Sequence, residues 1–154
     1  MSTVPQALAE AAARYGSQEA IADGDYRISF ADLLVEVRTA ARFYAAVGVQ
    51  PGDHVAVWAP NTYRWVIAAL GAHYAGATLV PINTRYTAHE ALDILERTRA
   101  KVLAVTGPFL GTDRLADLLT VAGDSLPHLS TVLILADRGD LVVPQTSNSP
   151  RSVA

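Results

Sequence analysis

The chain has 154 residues, enough for one globular domain and short for two. Half of its residues are apolar and 18% are charged, so it can bury a real core and does not have the composition of a disordered chain. A formal net charge of −3, with Lys101 as the only lysine beside eleven arginines, gives no basic excess for a nucleic-acid or anionic membrane surface, and the lack of cysteine excludes disulfides, thiolate metal sites and cysteine nucleophiles.

Thr3 to Tyr15 opens with Thr3, a proline in the first turn and Gln6 three places on, a capping-box start for an Ala-rich helix that Gly16 closes. Ala20 to Asp23 and Tyr26 to Ser29 are short extended pieces joined by a Gly24-Asp25 turn. Ser29 with Asp32 caps a second helix running to Val47, with an apolar stripe at Leu33, Val37, Ala40 or Ala41, and Tyr44. Gly48 suits its C-terminal cap, and Pro51-Gly52 makes a turn. His54 to Trp58 is a strand, Asn61 is placed to cap a helix from Tyr63 to Tyr74, and Gly76 ends that helix. Thr78 to Pro81 is a short strand. Thr87 and Glu90 form a second capping box, opening a helix to about Arg99. Lys101 to Thr106 is a strand, Thr112 to Ala122 a helix and Thr131 to Ala136 a strand.

Strands alternating with helices predict an α/β fold: a doubly wound, mostly parallel sheet with helices on both faces, occupying residues 1–136. Residues 137–154 lose all periodicity and are expected to form an irregular or disordered tail. The N-terminus lacks a basic start followed by an apolar run, and no stretch of about 18 residues is free of polar groups, so neither a signal peptide nor a membrane span is expected. The expected location is cytoplasmic.

Chemistry-bearing patterns are sparse. Neither G-x-G-x-x-G nor G-x-x-x-x-G-K-[ST] occurs. Gly107 to Thr112 lies between a strand and a helix, where backbone N–H groups can hold an anion. Pro108 removes a donor and no lysine follows, so the segment reads as a β–α turn with Thr112 as the cap. His89 and Asp93 stand one helical turn apart, but Glu90 belongs to the capping box and no third ligand is suggested, so no metal site is expected. His54, His73 and His128 have no partner at metal-ligand spacing. No serine sits in a G-x-S-x-G setting, and Asp113 with Asp117 reads as a solvated helix face. Trp58, Tyr63, Trp65 and Tyr74 read as an aromatic cluster around one strand–helix unit, of the kind that builds a core or an interface. Spacing alone therefore offers no catalytic residue.

Longer words carry more. Ile28-Ser29-Phe30-Ala31-Asp32-Leu33 resembles the "[LI]-[TS]-[YF]-x-[ED]-L" segment of AMP-forming acyl-CoA synthetases and other adenylating enzymes. Gly48 to Ala56 resembles their "G-[VI]-x-x-G-D-x-V-A", and Pro60-Asn61, Leu70 to Ala77 and Val80 to Asn83 resemble "PN … GAxxAGAxxVPxN". These words are collinear from about Thr3 to Val105 and continue more loosely to Leu135. Trp58 to Val66, Asn83 to Ala91 and Phe109 to Asp113 are closest in wording to actinobacterial fatty-acid–CoA ligases, including the type that activates a propionate side chain on a degraded steroid ring system.

The resemblance implies a two-step reaction using ATP, Mg2+ and CoA: carboxylate attack on the α-phosphate, then displacement of AMP by the CoA thiolate. It also implies a Ser/Thr/Gly loop with a lysine on the phosphates and a lysine on a mobile C-terminal domain. Neither is assignable in these residues, so the chain is expected to be inactive alone, as the N-terminal piece of a ligase. One residue carries over: Arg85 matches a position where some family members place an arginine near the CoA nucleotide phosphate, and a guanidinium suits a phosphate by bidentate geometry. A surface arginine following a strand is the plainer reading. The expected partner is the rest of the ligase, or a second copy through exposed apolar surface. The alternative is a stand-alone α/β binding or interaction module without catalysis.

Overall fold

Local capping signals set most of the helix starts in the computed structural model, which describes residues 1–136 together with the strand residues 144 and 145. Helix α1 (Val4–Tyr15) begins with the full Thr3/Gln6 capping box, and α4 (Ala88–Thr98) with the full Thr87/Glu90 box. Ser29 accepts from the Asp32 N–H at the start of α2 (Phe30–Ala46). These bonds satisfy N–H groups that a helix cannot satisfy internally.

Two helix starts differ from the sequence reading. The cap of α3 (Tyr63–Tyr74) is Thr62, not Asn61, and it makes no side-chain cap bond. The Tyr63 N–H instead donates to Asp23 Oδ2 at 3.1 Å, forty positions upstream. The cap of α5 (Arg114–Ala122) is Asp113, not Thr112, because the Asp113 carboxylate accepts from the Ala116 N–H while Thr112 is spent in the preceding turn.

The chain divides into two compact units. The first comprises Met1–Gly52 and Asn61–Thr78. Its strands β1 (Glu19–Asp23) and β2 (Tyr26–Ser29) pair antiparallel, with an irregularity between Glu19 and Ile21. Its core gathers Leu8 of α1, Ile28 of β2, and Leu33 and Val37 of α2, with Ile67, Leu70 and Tyr74 of α3 packed against them. The Tyr74 hydroxyl donates to the Pro5 carbonyl at 2.9 Å, and the buried Tyr44 hydroxyl to the Ala68 carbonyl at 3.1 Å. Gly71 of α3 meets Ala40 of α2 so closely that a Cβ there would lie 2.6 Å from the Ala40 Cβ.

The second unit comprises Asp53–Pro60 and Leu79 onward. It holds the sheet, in the order β4 (Thr78–Pro81), β3 (His54–Trp58), β5 (Val102–Thr106), β6 (Thr131–Leu135), β7 (Pro144–Gln145). Strands β3 and β5 are parallel, with Val55 opposite Val102, and β5 and β6 are parallel, with Val102 opposite Thr131. Every residue from Val55 to Trp58 and from Val102 to Val105 is buried, as in a parallel sheet covered on both faces. The core combines Ala56 and Trp58, Leu103 and Val105 with Ala91 and Leu95 of α4 and Leu118 of α5. Burying a leucine of this kind is worth about 1.5–3 kcal/mol. This is the predicted α/β class, a mainly parallel sheet flanked by helices. Strand β7 pairs antiparallel with β6, and the rest of the expected irregular tail, 137–143 and 146–154, lies outside the described residues.

The aromatic residues of the strand–helix segment are divided between the two units. Trp58 belongs to the core of the second unit, whereas Tyr63 stacks on Tyr26 at 3.7 Å between centroids and Tyr74 joins the core of the first. Spacing along a strand–helix segment cannot reveal that its strand and helix serve different cores.

Candidate functional site

Open α/β sheets bind ligands beyond the carboxyl ends of their strands. In the second unit the chain leaves β4 at Pro81 and β5 at Thr106, and the turns that follow, 82–87 and 107–113, are tied together. The first is held through its own backbone. The Trp58 indole N–H, at the end of β3, donates to the Asn83 carbonyl at 3.0 Å, and the Tyr86 N–H donates to the same carbonyl at 3.0 Å. Asn83 Oδ1 accepts from the Arg85 N–H at 2.9 Å, an Asx turn. The Thr87/Glu90 capping box closes the segment; the two Thr87 hydrogen bonds, backbone N–H first and hydroxyl second, hold the Glu90 carboxyl below the usual glutamate range.

The second turn is a tight reversal in which Phe109 and Thr112 exchange backbone hydrogen bonds at 3.0 and 3.1 Å. Its central residues, Leu110 and Gly111, both have positive φ, 51° and 74°. Such a turn asks for glycine or asparagine at both places, so Leu110 is strained there, and it is 83% exposed.

Arg114, the first residue of α5, joins the two turns. Its Nη2 and Nε donate to the Thr84 carbonyl at 2.8 and 3.2 Å, and Nη1 reaches the Phe109 carbonyl at 3.5 Å. The guanidinium carbon lies 5.7 Å from the Phe109 ring centre. Only 9% of the residue is exposed.

Arg85 stands on the 82–87 turn as an exposed side chain that makes no hydrogen bond or ion pair among the described residues. That is the state in which a guanidinium can take a phosphate oxygen pair. The Gly107–Thr112 segment is unsuited to an anion: Asp113 caps the following helix, and Asp117 adds a second carboxylate to its first turn. His89 and Glu90 are exposed on α4, where Glu90 serves the capping box, and Asp93 pairs with Arg97 at 3.5 Å. Among the described residues no group of three His, Cys, Asp or Glu side chains is placed to hold a metal.

Sequence reasoning missed Arg114, Trp58 and Asn83 as site builders. One signal was present for Arg114. A cation at the first position of a helix opposes the helix dipole, so an arginine there needs another reason to be kept.

The fold matches solved acyl-CoA ligases. The N-terminal domain of FACL13 from Mycobacterium tuberculosis superposes with a TM-score of 0.79 at 25% identity, over 88% of this chain and 34% of that one. The anthranilate CoA ligase AuaEII in complex with anthranoyl-AMP gives 0.77 at 24% identity, over 87% and 25%, and shows the fold alone. In sequence the chain is 56% identical over 144 residues to a 3-(7a-methyl-1,5-dioxo-octahydro-1H-inden-4-yl)propanoyl:CoA ligase of Rhodococcus jostii, covering 93% of this chain and 28% of that protein. A ligase of the same description from Mycobacterium tuberculosis is 45% identical over 139 residues, covering 90% and 27%. The chain thus spans between a quarter and a third of the length of these curated relatives.

The fold matches about a third of the N-terminal domain of an acyl-CoA ligase. The AMP-binding enzyme family model matches residues 8–152, and the chain belongs to that family. No helix among the described residues is long and apolar enough to cross a membrane.

Proposed function

We propose that these residues are the scaffold portion of an AMP-forming acyl-CoA ligase that activates a propanoate side chain on a bicyclic, steroid-derived dione. The observation that carries this reading is the 56% identity over 144 residues to the Rhodococcus jostii ligase. In the complete enzyme ATP, Mg2+ and CoA supply adenylation and thiol transfer. The contribution assigned to this chain is narrower: Arg85 contacts a phosphate of the CoA nucleotide, which its guanidinium, exposed and without a partner among the described residues, fits. The remainder of the ligase is its partner, and the cytoplasm is its compartment.

Alone, the chain does not form acyl-adenylate. The family's chemistry calls for lysines on the phosphates and on the adenylate, and the single lysine of these 154 residues is committed elsewhere. Lys101 pairs with Asp53 at 3.0 Å, just before β5 and so at the opposite end of that strand from the 107–113 turn. ATP–pyrophosphate exchange with a panel of carboxylic acids tests the proposal. The 154-residue chain is expected to give no acid-dependent exchange, and co-expression with the remaining ligase sequence of the Rhodococcus jostii relative is expected to give exchange with the indane-dione propanoate. Clear exchange by the chain alone overturns the inactivity, and exchange by the pair with plain fatty acids but not the bicyclic acid overturns the substrate.

A further inference from the structure

Arg114 is an expensive residue in its position. It is buried, no carboxylate lies within ion-pair distance of it among the described residues, and it begins a helix whose dipole repels a cation. A leucine would fill the space without those costs, and a lysine would carry the same charge. What neither provides is a planar fork. Nε and Nη2 converge on one acceptor, the Thr84 carbonyl, while Nη1 turns to Phe109 and the plane lies near the Phe109 ring.

The carbonyl that Arg114 holds belongs to the residue immediately before Arg85. The carbonyl one place earlier, on Asn83, is held by Trp58, and the Arg85 N–H is itself bound to the Asn83 side chain. Three successive backbone groups leading to Arg85 are therefore fixed from three directions, while the Arg85 side chain remains exposed. Fixing a backbone before a ligand arrives lowers the entropy lost on binding.

We propose that Arg114 is a positioning residue: its buried fork locks the 83–87 turn against the 107–113 turn, so that Arg85 meets a phosphate-bearing ligand from a preorganised backbone. The second half of this statement rests on the phosphate reading of Arg85 given above; the locking of the turn stands without it.

Two measurements on the 154-residue chain separate the two. The first is amide hydrogen exchange at Arg85 and Tyr86, with the β3 and β5 amides as internal reference. In Arg114→Met and in Arg114→Lys the two turn amides are expected to exchange about tenfold faster while the strand amides keep their rates. The lysine variant retains the charge, so loosening in it reports the fork, and it supplies the result should the methionine variant fail to fold. Unchanged turn amides, or an acceleration shared equally by β3 and β5, overturn the positioning role. The second is affinity for adenosine 3′,5′-bisphosphate, the nucleotide end of CoA. Arg85→Ala and Arg114→Lys are each expected to weaken binding about tenfold, and the double variant by clearly less than the product of the two. A wild-type chain that does not bind the bisphosphate overturns the phosphate reading of Arg85, and the exchange data then decide the role of Arg114 by themselves. Binding that Arg114→Lys leaves intact overturns the positioning and keeps the phosphate reading.

Discussion

Lys101 Nζ lies 3.0 Å from Asp53 Oδ2, which joins the residues that immediately precede two neighbouring parallel strands, β5 and β3. The backbone reinforces the join. The Lys101 N–H donates to the His54 carbonyl at 2.9 Å, and the Lys101 carbonyl accepts from Ser130 N–H at 2.9 Å. The two side chains are 32% and 31% exposed, so solvent screens part of their attraction. Lys101→Met is expected to lower the unfolding free energy by about 0.5–1 kcal/mol in urea titration, with most of the difference gone in molar salt. A loss unaffected by salt would mean that the lysine stem, not its charge, supports the strands.

Gly71→Ala is expected to cost about 1–3 kcal/mol, since the new methyl would sit 2.6 Å from the Ala40 Cβ and neither group can rotate away. Helices α2 and α3 must then separate or shift. Pairing it with Ala40→Gly restores the space, and thermal unfolding of the double variant is expected to recover a large part of the loss. No recovery would place the strain elsewhere.

The Thr87 bonds to Glu90 give a pH signature. A carboxyl held below its unfolded value, about 4.3 for glutamate, adds stability at neutral pH, and that addition is lost as pH falls through the folded value. Glu90→Gln is therefore expected to be less stable than the parent at pH 7 and equal to it in strong acid. A carboxyl titration of Glu90 by NMR with an ordinary midpoint would contradict this.

Tyr44 gives the opposite signature. Burial pushes its phenol far above the usual tyrosine range, and burial, followed by the neighbouring Tyr63, also raises Tyr26. A raised phenol stabilises the fold fully below the unfolded value of about 10, and stability is expected to fall as pH rises past it. Ultraviolet titration is expected to show Tyr44 ionising only with unfolding. Tyr44→Phe, which removes the bond to the Ala68 carbonyl, is expected to cost about 1 kcal/mol at neutral pH and to flatten the alkaline loss.

Three of the five described helix starts were legible because their signals act over three or four residues, while the caps of α3 and α5 fell one residue from their expected places. Thr3 with Gln6, Ser29 with Asp32, and Thr87 with Glu90 form in space the contacts that their spacing implies. The α/β class followed from the alternation of such elements, and the family from four collinear words that are individually only caps, turns and strands. What stayed hidden lies between distant residues. Trp58 reaches Asn83 across 25 positions and Arg114 reaches Thr84 across 30, and neither pair has a spacing that local rules can read. Arg85, which the wording shared with the family suggested, stands exposed on the 82–87 turn, and its side chain makes no hydrogen bond or ion pair among the described residues.

Helix α3 starts with a cap that it does not own. The acceptor for the Tyr63 N–H is Asp23, the last residue of β1, so the first turn of α3 is satisfied by the β1–β2 hairpin and not by its own cap residue. Helices α1, α2, α4 and α5 carry their caps within three residues and can nucleate on their own sequence. The start of α3 therefore depends on a contact between residues forty positions apart, whereas the other four described helices begin on contacts inside their own first turn.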